Sequence, residues 1–324
     1  MKKIHIILLL FISFINCEKD NLQESSGSIL YFNGDIITME GNSPVYAEVL
    51  VVKNKKIQFV GSSEEATKIA GNNHQMINLK GKTLLPGFID GHAHFASFSA
   101  QAIGAKILPP PDAGAKDIPS LIEILKKWNT PENRALTGWI FGMGFDDSVL
   151  EEKRFPTKHD LDQVSTEFPI MIVHISGHFA VVNSKALELL MITSETKNPE
   201  GGIIRRENSN EPNGVLEELA AIPYMLKVLN PTSKEAADHF FEAGQEMALS
   251  YGFTTAQEGR AMENHELLVA ASQAGKLKLD VVSYVDYLFV DKYMGSKWNT
   301  NTYNNHYRIG GVKLTLDGSP QGRT

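Results

Sequence analysis

Two histidines one residue apart, His92 and His94, carry the sharpest chemical signal in the sequence, in the run Pro86, Gly87, Phe88, Ile89, Asp90, Gly91, His92, Ala93, His94. Side chains alternate along a strand, so residues two apart share a face about 7 Å from one another. Two imidazoles placed that way can share a metal ion. Ala93 between them is small, and Gly91 lets the backbone approach closely. A bare His-x-His pair is a weak signal by itself, so its surroundings have to decide. His174, Ser176 and His178 form a second group at the end of an apolar run, and they share a face if that strand is regular. His174 reads equally well as a hydrogen-bonded core histidine. Glu218 and Glu258 are pocket candidates that an acidic helix or loop face would also explain. Asp317 precedes Gly318 and reads equally as a turn residue. His74, His159, His239, His265 and His306 lie in polar or helical settings and read as surface residues.

These residues need elements to hold them. Residues 29–32, 36–39, 48–53, 56–60, 76–79 and 82–85 are short β-type runs. Asn33-Gly34 between the first two is a hairpin signal, and residues 53–55 are another turn. Strands at this density predict a small β-sandwich or β-roll over residues 28–85. Beyond Pro86 the pattern lengthens. Strands are expected at 88–92, 139–145, 170–175, 254–257, 279–285 and 311–316, and helices at 120–128, 184–190 and 233–250. Asn183 and Ser233 are good helix caps. Strands alternating with helices predict a parallel sheet or barrel, and chemistry in such barrels sits at the carboxyl ends of the strands.

The chain has 324 residues, 42% of them apolar and 21% charged, which is ordinary globular usage. Its net charge of −7 argues against nucleic-acid or anionic-membrane binding through a basic surface. A single cysteine excludes a disulfide framework and a cysteine-rich zinc site. Lys2 and Lys3 precede a run at 6–15 that is apolar apart from Ser13, and Cys17 follows it. That run is too short for an ordinary spanning helix and suits an export signal over residues 1–17. The arrangement resembles a bacterial lipoprotein signal with Cys17 as the lipidated residue. Residues 18–27 then form a tether, and the expected location is the periplasm or outer membrane of a Gram-negative bacterium. The competing reading is a plain cleaved signal with an incidental Cys17.

Residues 86–94, preceded by their β-rich segment, resemble the first-strand motif of the amidohydrolase superfamily. Residues 175–187 are similar to the Gly-His…Val-Asn-Ser-x-Ala-Leu stretch of the amidohydrolase 3 family, the branch that includes N-substituted formamide deformylases. Residues 214–218, 252–258 and 311–319 fit the same family, so the resemblance runs over 28–324. It implies an α/β fold: a (β/α)8 TIM-type metal-dependent hydrolase barrel with a small composite β-sandwich domain. Residues 28–85 would be the N-terminal half of that sandwich and residues 86–324 an incomplete barrel.

The resemblance implies further that His92 and His94 bind a divalent metal, zinc being the expected ion, with one or two per chain. It gives Lys313 a role as a carbamate bridging two cations, because burial disfavours an ammonium and a neutral amine adds carbon dioxide. Lys313, Thr315 and Asp317 would share one strand face, Asp317 as a polar pocket residue. His178, with His174 as a further candidate, would line the pocket, where an imidazole polarises a carbonyl or stabilises an oxyanion. Glu218 and Glu258 would contact substrate. The implied reaction is hydrolysis of the C–N bond of a small amide, formamide or cyclic amide by metal-activated water. An ester, lactone or phosphoester hydrolase on the same scaffold is the alternative. A third reading is a non-catalytic envelope lipoprotein, touching the membrane only through lipid and with oligomerisation open. The family's remaining ligands, two histidines and an aspartate, are expected beyond Thr324, so an N-terminal fragment without full activity is expected.

Overall fold

A computed structural model describes residues 27–229 and 233–316. Residues 1–17 with Cys17, nearly all of the tether, and Asp317 lie outside the described residues. By internal contacts the chain divides into residues 1–86 and 87–324.

The first unit contains β1 (Ser28–Ile37), β2 (Tyr46–Lys53), β3 (Lys56–Gly61), α1 (Ser63–Ala70), β4 (His74–Asn78) and β5 (Thr83–Leu84). The order is β3-β2-β1-β4, with β5 also on β1; β2 and β3 are antiparallel additions, while β4 and β5 run parallel to β1. The expected turn at Asn54 and Lys55 is present, both residues having positive φ. The expected hairpin at Asn33-Gly34 is not. Both residues lie inside β1, where the pairing with β2 shifts register between Phe32 and Ile36. Asn33 has φ +58°, and a Cβ on Gly34 would sit 2.3 Å from the Lys82 carbonyl oxygen. The permissive backbone that suits a hairpin turn serves a bulge equally well. Helix α1 was also unforeseen. Ser62 caps it, and it buries Ala66 and Ala70, four residues apart, against Leu30, Val49 and Val51.

In the second unit the chain first forms β6 (Phe88–Ile89) and α2 (Phe95–Ile103), then β7 (Ala105–Lys106), α3 (Ile118–Trp128), α4 (Pro131–Thr137) and β8 (Ile140–Phe145). Next come α5 (Lys158–Asp162), β9 (Ile170–His174), β10 (Phe179–Val182), α6 (Ser184–Leu189), β11 (Gly202–Arg206), β12 (Pro212–Glu218) and α7 (Ile222–Leu229). Last are α8 (Lys234–Ser250), β13 (Phe253–Ala261), α9 (Asn264–Gln273), β14 (Asp280–Asp286), α10 (Val290–Tyr293) and β15 (Tyr307–Lys313). They build two sheets. One is wholly parallel, in the order β15-β14-β13-β6. The other runs β11-β12-β10-β9-β8-β7, with β7, β8 and β9 parallel and the rest antiparallel.

Of the six strands expected after Pro86, four therefore form one parallel sheet, and those at 139–145 and 170–175 belong to the other. The whole stretch from α2 to α8 is an excursion between two neighbouring strands, β6 and β13. Every residue of β9 is buried, as in a strand covered on both faces. Asn183 caps α6 as expected and, fully buried, also accepts from the Ile170 amide (3.0 Å), tying α6 to the start of β9. Helix α2 packs on α8 so closely that a Cβ on Gly244 would lie 2.1 Å from Ser99 Oγ, and Phe95 stacks on Phe241 at 5.9 Å. His265, expected at the surface, is buried on α9 within hydrogen-bonding distance of the Tyr307 hydroxyl (2.7 Å), which donates to Ser283 Oγ (2.9 Å). Its helical neighbours Leu268 and Ala271 face inward with it.

Candidate active site at the strand ends

Strand β6 is two residues long, so the histidine pair is not placed by simple alternation. Asp90, nearly buried, does the positioning. Its amide donates to the Thr255 carbonyl (2.9 Å), while its carboxylate accepts from the amides of His92 (3.0 Å) and Gln257 (3.2 Å). The Gly259 amide then donates to the Ala93 carbonyl (2.8 Å), and His94 bridges to Glu258. The result is two imidazoles edge to face, centroids 5.5 Å apart, at the carboxyl end of the parallel sheet. Gly259 has to be glycine: a Cβ there would lie 2.6 Å from the Ala93 carbonyl oxygen and 3.0 Å from His92 Cε1.

Glu258 is 2% exposed, so it is not part of an acidic surface. Its carboxylate accepts from the Ala96 amide in the first turn of α2 (2.9 Å) and the Arg260 amide (3.3 Å), and lies 3.6 Å from His94 Nδ1. Two imidazoles and a buried carboxylate suit a divalent ion of borderline softness.

The next two strands add charge at the same end. Asp286, fully buried at the end of β14, accepts from Arg260 Nε (2.7 Å) and from the Leu288 amide (3.0 Å). Sequence reasoning missed this ion pair, because the expected strand stopped at residue 285. Lys313 ends β15 in register with Asp286. It was expected inside a buried strand, yet it is only half-buried, and Leu314 and Leu316 beyond it are exposed. Among the described residues β15 is an edge strand, with β14 on one side only. The strand stops at Lys313, so the expected shared face with Thr315 is not formed, and Asp317 lies outside the described residues.

The second histidine group lies on the six-stranded sheet. Strand β9 stops at His174, and Gly177 (φ +74°) turns the chain into β10, so His174, Ser176 and His178 do not alternate along one strand. They are joined by hydrogen bonds instead. Ser176 Oγ lies 2.8 Å from His174 Nδ1 and accepts from the His178 amide (3.2 Å). His178 Nδ1 lies 2.8 and 2.9 Å from the two oxygens of Glu218, which holds the uncommon φ of +48°. His174 is buried among Phe145, Phe155 and Phe179, and that burial holds its pKa below the usual histidine value against the pull of Asp147 and Asp146. Those two aspartates, which follow β8, were not singled out from the sequence. A cavity of about 270 Å³ lined by Ile118, Glu152, Arg154 and Asp160 contains none of these histidines.

The sequence profile of the Amidohydrolase family matches residues 75–324. An N-substituted formamide deformylase of Arthrobacter pascens is 31% identical over 195 residues, 60% of this chain and 34% of that protein. The Arabidopsis thaliana protein LONG AFTER FAR-RED 3 is 29% identical over 233 residues, 70% of this chain and 37% of that protein. Among solved structures, a metal-dependent hydrolase from Pyrococcus horikoshii superposes with a TM-score of 0.64 at 27% identity, covering 90% of this chain and 55% of that one. The chain thus spans about a third to a half of the length of these relatives.

Proposed function

The chain belongs to the amidohydrolase family, and we propose that it contributes ligands to a metal-dependent active site that hydrolyses C–N bonds of small amides or formamides. The observation that carries this reading is the meeting of His92, His94 and buried Glu258 at the carboxyl end of the parallel sheet that ends in Lys313. We read that sheet as the first four strands of an eight-stranded β/α barrel, whose active sites lie at this end. The formamide class is supported by the deformylase relative.

In this reading His92 and His94 hold the metal, with zinc as the ion, and Lys313, as a carbamate, is a further ligand. When bound, the metal polarises the scissile carbonyl and acidifies a water. Three of the chain's own groups support the site. Asp90 fixes the backbone of His92 through its amide. Glu258 holds the first turn of α2 and sets a negative charge beside His94. His178, whose Nδ1 lies within hydrogen-bonding distance of both Glu218 oxygens, is held for the pocket role of polarising a carbonyl or stabilising an oxyanion.

The test is turnover of N-substituted formamides against matched esters and lactones, measured on the protein extended to the length of its relatives. Formate release is expected, and His92→Asn with His94→Asn is expected to lower it by at least about a hundredfold. Ester turnover without amide turnover contradicts the substrate class, and an unaffected double variant contradicts the site.

A further inference from the structure

Asp146, Asp147 and His174 stand at the carboxyl ends of two neighbouring parallel strands of the other sheet, β8 and β9, where Phe145 pairs with His174. One donor atom from each of the three lies within 4.8 Å of the others. His174 Nε2 is 3.3 Å from Asp147 Oδ1 and 3.9 Å from Asp146 Oδ1. It is nevertheless a buried nitrogen without a hydrogen-bond partner, on a residue 5% exposed. Donors held on one ion at about 2.1 Å sit about 3.4 Å apart in a tetrahedral arrangement; the Asp147 distance matches that spacing, and the Asp146 carboxylate needs a small shift to reach it. Neither carboxylate pairs with a lysine or arginine among the described residues. Asp146 Oδ1 accepts from the Ser148 amide (2.9 Å) and hydroxyl (2.6 Å), which aims it without neutralising it.

We propose that Asp146, Asp147 and His174 form a binding site for a divalent transition-metal ion of the zinc class, distinct from the His92–His94 pair. One nitrogen and two carboxylate donors suit such an ion better than magnesium or calcium, which prefer all-oxygen shells. The ring's other nitrogen has the partner that a metal-bound histidine needs. Nδ1 can accept from the Ser176 amide (3.2 Å) or donate to Ser176 Oγ (2.8 Å). An ion on Nε2 selects the second tautomer. Three phenylalanines around the ring keep water off it, while the aspartates, each about a quarter exposed, leave the ion approachable from solvent. Occupancy would also fix the β9–β10 turn, because Ser176 Oγ accepts from the His178 amide.

The experiment is zinc binding by equilibrium dialysis against a chelator buffer, on tag-free chain in which His92→Asn and His94→Asn remove the first pair. That variant is expected to retain one zinc per chain. Adding Asp147→Asn is expected to weaken it more than about tenfold with unchanged far-ultraviolet circular dichroism; Asp146→Asn replaces it if that variant does not fold. No zinc on the double variant, or a change below about tenfold on adding the aspartate substitution, overturns the proposal.

Discussion

Burial separates the histidines residue by residue: His92 is exposed and His94 half-buried, whereas His174 and His265 are buried. His92 and His94 are legible as a pair because two imidazoles that close are rare and useful. The roles of Asp90, Arg260 and Asp286 are not legible, because each depends on which strand lies next to it. His265 was misread for a related reason: a histidine among Asn264 and Glu266 looks solvated until its helical face is known to point inward. Its burial gives a pH-dependent contribution to stability. Desolvation lowers the folded-state pKa below the ordinary histidine value of about 6.5, so between the two values the unfolded chain binds more protons than the folded one. The contribution is complete above pH 6.5 and is lost as pH falls through the lowered pKa. Unfolding free energies from denaturant titrations between pH 7.5 and pH 5 should therefore fall more steeply for the wild type than for His265→Gln, by up to about 1.4 kcal/mol per pH unit. Parallel profiles would show that the imidazole is not buried as a neutral base.

At the scale of elements, period and punctuation located the long helices and most of the central strands, since α3, α6, α8, β8, β9 and β14 lie close to their expected positions. The antiparallel group β10, β11 and β12 was not anticipated. Its strands are short, and β/α alternation says nothing about an insertion that pairs back on itself. The bulge in β1 had the same origin, one local signal having two structural uses. Close approach between elements is equally invisible until the partner is known, and Gly259 is the consequential case. Gly259→Ala should push β13 away from the His92 ring and the Ala93 carbonyl, lowering zinc affinity at the His92–His94 site by at least about tenfold. Isothermal titration measures this, provided Asp147→Asn is present in both proteins to silence the second site. Affinities within about twofold of each other would mean that the pair tolerates displacement and is not a preorganised site.

At the scale of the molecule, the motifs in residues 86–94, 175–187 and 311–319 announced a family, and the family's profile matches residues 75–324. What the motifs could not announce was how the strands are shared out. The structure separates a parallel sheet bearing His92, His94, Glu258, Asp286 and Lys313 from a second sheet bearing His174, His178 and Glu218. We propose that His92 and His94 in the first group hold a metal ion. The most direct measurement is anomalous diffraction at the zinc edge from crystals of the zinc-loaded protein. A peak is expected about 2.0–2.1 Å from one ring nitrogen of His92 and one of His94. Well-ordered, unliganded rings at both positions in zinc-loaded crystals would contradict it.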